Sequence, residues 1–297
     1  MTSVGNSRPL ENSLVARNYL FVPADQPRML EKAIGCGADA LIIDLEDSVA
    51  PSQKVVSRKN LQKWLTTLDP VAPELWVRVN GDEELLAGDL EAVCCEKIVG
   101  LVIPKVSSRS DLESLEPMLA SQEEANGMER GAFSVVPLIE CAAALVDLVA
   151  IAEAPRVYRL MIGEADLGAE LWIDPADSQS WHPIRMALVV ASASAGLRGP
   201  IGPVVTDFRN LDVLETLSNE LVRIGFRSGA AIHPDQLPVI ERVFTPSPEE
   251  YERAIRQIAL YEEALANGRG AIVGDAGEMI DHATIKRSRR IAETRRS

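Results

Sequence analysis

Short apolar runs alternate with longer stretches of helical spacing along most of this chain. Tyr19–Val22 (YLFV), Ala40–Ile43 (ALII), Leu75–Val79 (LWVRV) and Leu101–Ile103 read as strands, each ended by a proline or a polar residue. Further strands are read at Phe133–Ile139, Val157–Ile162, Pro200–Val205 and Gly229–Ile232. Between them, apolar positions three and four apart predict helices over 26–36, 51–68, 83–94, 110–128, 141–152, 183–195 and 210–224, and another follows over 248–266. Met29, Leu30, Ala33 and Ile34 show the spacing, and Gly37, Gly196 and Gly225 supply stop signals. Eight strand–helix alternations predict one closed (β/α)₈ TIM barrel of about the usual size. The competing arrangement is an open doubly wound sheet, but no GxGxxG follows the first strand, which disfavours its dinucleotide-binding form.

The pattern changes after Gly268. A glycine-rich stretch (GRGAIVGDAGEMID) leads into a basic one (HATIKRSRRIAETRRS). The chain is therefore divided into a catalytic barrel over 14–268 and a C-terminal lid with a basic helix over 269–297. The tail is either a frayed end or an arm that docks on an acidic surface.

Charge narrows the function. Lys plus Arg total 30 and Asp plus Glu total 44 in 297 residues, a formal net charge of −14. So acidic a chain is a poor nucleic-acid partner. No apolar run reaches the length of a membrane span, and the polar N-terminus lacks the core of a secretory signal. Cys36, Cys94, Cys95 and Cys141 form no CxxC pattern and read as thiols of a reducing, cytoplasmic compartment.

Barrel chemistry sits where strands end. The polar residues there are Asp44, Glu46 and Asp47 after the second strand, Arg78 in the third, Lys105 after the fourth and Glu140 after the fifth. Glu164 and Asp166 follow the sixth, and His233 the eighth. So many carboxylates in one cleft call for a cation. With only three histidines in the chain, that cation is a hard one, Mg²⁺, with Mn²⁺ as a substitute. Arg78, flanked by two valines, is either a structural ion pair or a fork for a substrate carboxylate. His233 reads as a cap or supporting residue, and Lys105 as either a site residue or a structural pair.

These residues fall in a recognisable order. R-x-x-L-F-V-P from Arg17, G-A-D-x-x-x-x-D-L-E-D-x-V, Lys54 and Arg58 in K-x-x-x-R, then VRVN, IPKV, PLIE, G-x-x-D-L-x-x-x-L and IHP-x-Q resemble the citrate lyase β-subunit-like proteins of the HpcH/HpaI aldolase group. The resemblance runs from Arg17 to about Glu293. It implies Glu140 and Asp166 as Mg²⁺ ligands and Arg78 as the grip on the substrate carboxylate. Glu140, Lys105 and Arg17 join Arg78 in substrate binding. Asp44, Glu46 and Asp47 are the acidic cluster that shapes the site, and Asp281 is a lid acid or base reaching a neighbouring subunit. The implied activity is Mg²⁺-dependent cleavage of a malyl-, citramalyl- or citryl-type 3-hydroxy-acyl-CoA, in a homo-oligomer, a trimer or hexamer. Two other activities stay open. One is a CoA-independent aldolase acting on 4-hydroxy-2-oxo acids, which Ser228-Gly229 favours because relatives often carry Gly-Lys there. The other is a β subunit that works only beside an acyl-carrier partner.

Overall fold

The structure is a computed structural model, and it describes residues 16–68, 73–274 and 277–294. The chain forms two compact units, which meet in sequence at Arg242 and Val243. The first alternates strands and helices: β1 (Asn18–Pro23), α1 (Pro27–Ala33), β2 (Ala40–Asp44), α2 (Lys54–Thr67), β3 (Glu74–Arg78), α3 (Glu83–Val93), β4 (Gly100–Ile103) and α4 (Arg109–Ala125). It continues with β5 (Ser134–Ile139), α5 (Ala142–Val146), α6 (Leu148–Ala152), β6 (Met161–Ile162), α7 (Glu164–Leu171), α8 (Ser178–Ser194), α9 (Leu211–Ile224), β7 (Gly229–Ala231) and α10 (Leu237–Phe244), the last ending at the junction. The second unit contains α11 (Pro248–Ala266), β8 (Ala271–Val273), β9 (Met279–Asp281) and α12 (His282–Ala292).

All seven strands of the first unit are parallel, in the order β6-β5-β4-β3-β2-β1-β7. Ile201 makes parallel bridges to Met161 at one edge and to Ser228 at the other, so a single residue links the two ends of the row. The strand expected over 200–205 is reduced to that bridge, and the one expected over 157–162 to two residues plus a bridge from Val157 to Val135. A side chain reinforces this short pairing. The fully buried Arg159 donates to the Gly199 carbonyl from Nε (2.9 Å) and Nη2 (2.5 Å), and to Ala16 O from Nη1.

The inner face of the sheet is filled by side chains. Trp76 stacks on Tyr158 at 5.6 Å and meets Tyr19 edge-on, among Ile42, Val102, Val136, Leu138 and Ile201. These residues alternate along their strands, as one buried face of a pleat requires. Strands buried on both sides explain the continuous apolar runs of the sequence.

Helix boundaries differ from expectation in two informative places. The run over 141–152 breaks at Asp147, whose carboxylate leaves its own segment to accept the Arg109 amide at the start of α4 (2.8 Å). Helix α8 starts at Ser178 rather than 183, because Asp177 caps it through the Gln179 amide, and Pro183 lies inside the helix. Among the described residues no helix is long and apolar enough to cross a membrane.

In the second unit β8 and β9 form an antiparallel hairpin. Ile272 and Ile280 pack inward with Tyr261 and Ile285, while Val273 and Met279, opposite each other in register, stay exposed. Ser288 Oγ donates to Gln257, which donates to Glu278, tying α11, α12 and the hairpin together.

Candidate active site

The register of the sheet assembles the site. Pro23, Asp44 and Arg78 are neighbours across three adjacent strands, so the charged residues that stop those strands lie side by side. Arg78 places Nε 2.8 Å from Asp44 Oδ1 and Nη2 2.6 Å from Oδ2, a two-point fork, and its guanidinium lies over the Phe21 ring. Its Nη1 faces Glu46 Oε2 at 3.0 Å. The fork of Arg78 is thus taken by Asp44, and its Nη1 side faces Glu46.

Asp44 is a hub. Its Oδ1 also accepts the Glu46 amide (2.9 Å) and its Oδ2 the Ser48 amide (3.2 Å). Burial pushes its pKa up, but the bonds and charge of Arg78 outweigh burial and hold it below the usual value. Glu46 is 4% exposed and spans Arg78 and Lys105, whose Nζ lies 2.8 Å from Oε1. Burial raises its pKa against the pull of Lys105 and Arg78, and the neighbouring Asp47 adds to the rise. Asp47 is exposed, 4.0 Å from Arg78 and 3.9 Å from Lys105.

Lys105 has φ +54°, a left-handed conformation that a lysine adopts only when its surroundings hold it there. The consequence is a backbone amide aimed at Glu140 Oε1, 2.6 Å away. Glu140 is itself buried. Burial chiefly, then the charges of Glu46 and Asp166, push its pKa up to about 7 against the opposing Lys105 amide. Asp166 lies exposed in the first turn of α7, where the helix dipole favours an acid.

Gly163 makes room for this carboxylate. A Cβ there would stand 2.7 Å from Glu140 Cβ and 3.0 Å from Oε2. Its φ of −105° is open to any residue, so space rather than backbone freedom requires glycine. Gly163→Ala should therefore displace Glu140 and cost about 1–3 kcal/mol of stability by overpacking. Thermal melts alongside activity assays check this, with at least a tenfold loss of turnover expected in a folded variant.

The chemistry of the donor set suits a hard divalent ion. Among the described residues no three His, Cys, Asp or Glu side chains converge as a metal cage. Two mutually repelling carboxylates, Glu140 and Asp166, fit an ion that takes one or two acids and fills its other positions with water and substrate oxygens, as Mg²⁺ does.

Other candidates lie elsewhere or are otherwise engaged. Arg17 is corrected by its position: it precedes β1 and so stands at the strands' N-terminal end, about 20 Å along the strand from Asp44. There it is buried and pairs with Glu241 at 2.7 Å. Glu164 is held by a two-point bond from Arg185 (2.7 and 2.8 Å), linking α7 to α8. His233 caps the turn before α10 through Nδ1, which accepts the Asp235 amide, and stacks on Phe208 at 4.6 Å. Ser228 is buried at the start of β7 and donates to Ala16 O. Asp281 caps α12: its Oδ1 accepts the amides of Ala283 and Thr284, and Thr284 holds its pKa below the usual value.

Sequence reasoning gave no role to Asn80, although VRVN contains it. Its Nδ2 donates to Leu45 O (3.0 Å) and to Asp89 (2.7 Å), beneath the acidic turn. An asparagine following a charged strand end was the available signal.

Residues 17–234 match the family described as HpcH/HpaI aldolase/citrate lyase, and the chain belongs to that family of lyases. It is similar to a (3S)-malyl-CoA thioesterase of Cereibacter sphaeroides, 34% identical over 281 residues that cover 92% of each chain. An L-malyl-CoA/beta-methylmalyl-CoA lyase of the same organism is 30% identical, again over 92% of each. Among solved structures, CitE from Mycobacterium tuberculosis in complex with magnesium, acetoacetate and coenzyme A aligns with a TM-score of 0.74 and 28% identity, covering 94% of this chain and 98% of that one.

Proposed function

We propose that this protein is a Mg²⁺-dependent carbon–carbon lyase acting on a 3-hydroxy-acyl-CoA of the malyl, citramalyl or citryl type. The observation that carries the proposal is the continuous set Arg78–Glu46–Lys105–Glu140, which puts two cations beside a buried carboxylate of raised pKa. Magnesium-bound and CoA-bound relatives support it. In this reading the sheet bridged at Ile201 is an eight-station TIM barrel, and the hairpin with α12 is its lid.

The residues divide the work. Arg78 Nη1 and Lys105 orient the carboxylate of the departing 2-oxo acid, with Glu46 holding both cations in place. Glu140 and Asp166 would hold Mg²⁺, which lowers the cost of charge on the substrate oxygens. The hydroxyl proton leaves to a carboxylate base, the carbon–carbon bond gives its electron pair to the carbon beside the thioester, and that carbon then takes a proton. Asp281, whose charged form Thr284 favours, is the proposed proton carrier. We take its lid to serve a neighbouring subunit of a cytoplasmic homo-oligomer.

A second reading is thioester hydrolysis, favoured because the 34%-identical relatives are thioesterases while the lyases stand at 29–30%. The test is a panel of malyl-, citramalyl- and citryl-CoA with Mg²⁺, with products identified by mass spectrometry. A lyase releases a 2-oxo acid and an acyl-CoA in equal amounts. Release of the intact hydroxy acid with free CoA establishes the hydrolase instead. Cleavage of free 4-hydroxy-2-oxo acids, with no turnover of thioesters, would place it with the aldolases.

A further inference from the structure

The turn that carries Glu46 is fastened on both of its polar sides. On one side Asp44 accepts the amides of Glu46 and Ser48. On the other, Lys54 Nζ donates to the carbonyl oxygens of Leu45 (2.7 Å) and Glu46 (2.6 Å). Lys54 is 7% exposed and is the first residue of α2. Local structure argues against a lysine there, since a helix N-terminus disfavours a cation and burial disfavours an ammonium. Something other than helix stability therefore accounts for its position.

The neighbouring groups form one framework. Asn80 Nδ2 supports Leu45 O from a second direction and is held by Asp89, which also accepts Arg58 Nε at 2.7 Å. The Val49 amide is a second donor to Glu46 O. Each carbonyl thus keeps one neutral donor if the ammonium is removed. Only Lys54 ties the two consecutive carbonyls to one point, and so fixes the peptide planes from which the Glu46 side chain projects.

We propose that Lys54 is the positioning residue of this site: by gripping the Leu45 and Glu46 carbonyls it aims the Glu46 carboxylate at Arg78 and Lys105. The inference rests on the reading of those two cations as the groups that meet the substrate carboxylate. Lys54 touches no reacting atom and acts through Glu46.

The test combines a crystal structure of Lys54→Met with a double-mutant cycle against Glu46→Gln. Methionine keeps the side chain as far as Cε and removes the donor. Lys54→Gln is the second variant, keeping polarity at the helix start while its amide stops short of the carbonyls. The expected structure shows Glu46 more than 4 Å from Arg78 Nη1 and Lys105 Nζ. The expected kinetics show a fall of about 100-fold in kcat/KM, the scale of an ångström of misplacement. The double variant should lie within about threefold of the worse single one, because both changes break the same route. A merely structural lysine would give losses that multiply. That result, or a variant structure with Glu46 still on both cations, overturns the proposal. If the wild type turns over no thioester with Mg²⁺, the functional reading has failed, and the position of Glu46 in the variant structure still decides the role of Lys54.

Discussion

Glu140→Gln is expected to remove turnover, by about a thousandfold or more, and to stabilise the metal-free protein above neutral pH. The first effect follows from losing a proposed ligand to an ion that supplies several kcal/mol of charge stabilisation. The second follows from the raised pKa of the native carboxyl, about 7 against an ordinary 4.5. Between those values the folded state holds a proton that the unfolded state has released. Stability from this group is present below the unfolded value and is lost as pH rises through the folded one, to a ceiling of about 3 kcal/mol. Glutamine carries no such penalty, so the variant should match wild type near pH 4 and exceed it at pH 8. Urea titrations at both pH values, in chelator, check the difference. Equal pH dependence in the two proteins would show that Glu140 is not held protonated.

Arg78→Lys is expected to cost at least about 2 kcal/mol in transition-state binding, roughly 30-fold in kcat/KM, because one ammonium cannot hold Asp44 at two points and also present the donor that Nη1 offers the substrate. The same change weakens the fold. Asp44 is 2% exposed and would lose one half of a two-point bond and the guanidinium that stacks on Phe21. Asp44 has a lowered pKa, so its stabilisation exists above the unfolded value and disappears as pH falls through the folded one. In the lysine variant that acid-side slope should shrink. Steady-state kinetics and acid unfolding together separate the two roles. Wild-type efficiency with a smaller acid slope would make Arg78 a partner of Asp44 alone.

The reach of the sequence follows from the range of the forces involved. Parallel strands buried on both faces are written as unbroken apolar runs, so the ends of β2, β4 and β5, and the acids and lysine just beyond them, could be read directly. The strand bridged at Ile201 could not, because it is held only by backbone bonds around one residue and by Arg159, forty residues before Gly199. The left-handed turn at Lys105 carries no glycine to announce it; the Glu140 carboxylate, 35 residues on, accepts its amide. Glu164 looked equivalent to Asp166 until Arg185, a helix away, was seen to hold it. Arg17 was legible in principle: a residue before a strand lies at the end opposite the acids, whatever motif it opens.

We propose Glu140 and Asp166 as the ligands of the divalent ion on which the chemistry depends. Electron paramagnetic resonance of Mn²⁺ titrated into wild type, Glu140→Gln and Asp166→Asn measures this most directly. One site per chain is expected in the wild type, displaced by Mg²⁺ and lost in both variants. Unchanged Mn²⁺ binding in either variant would contradict it.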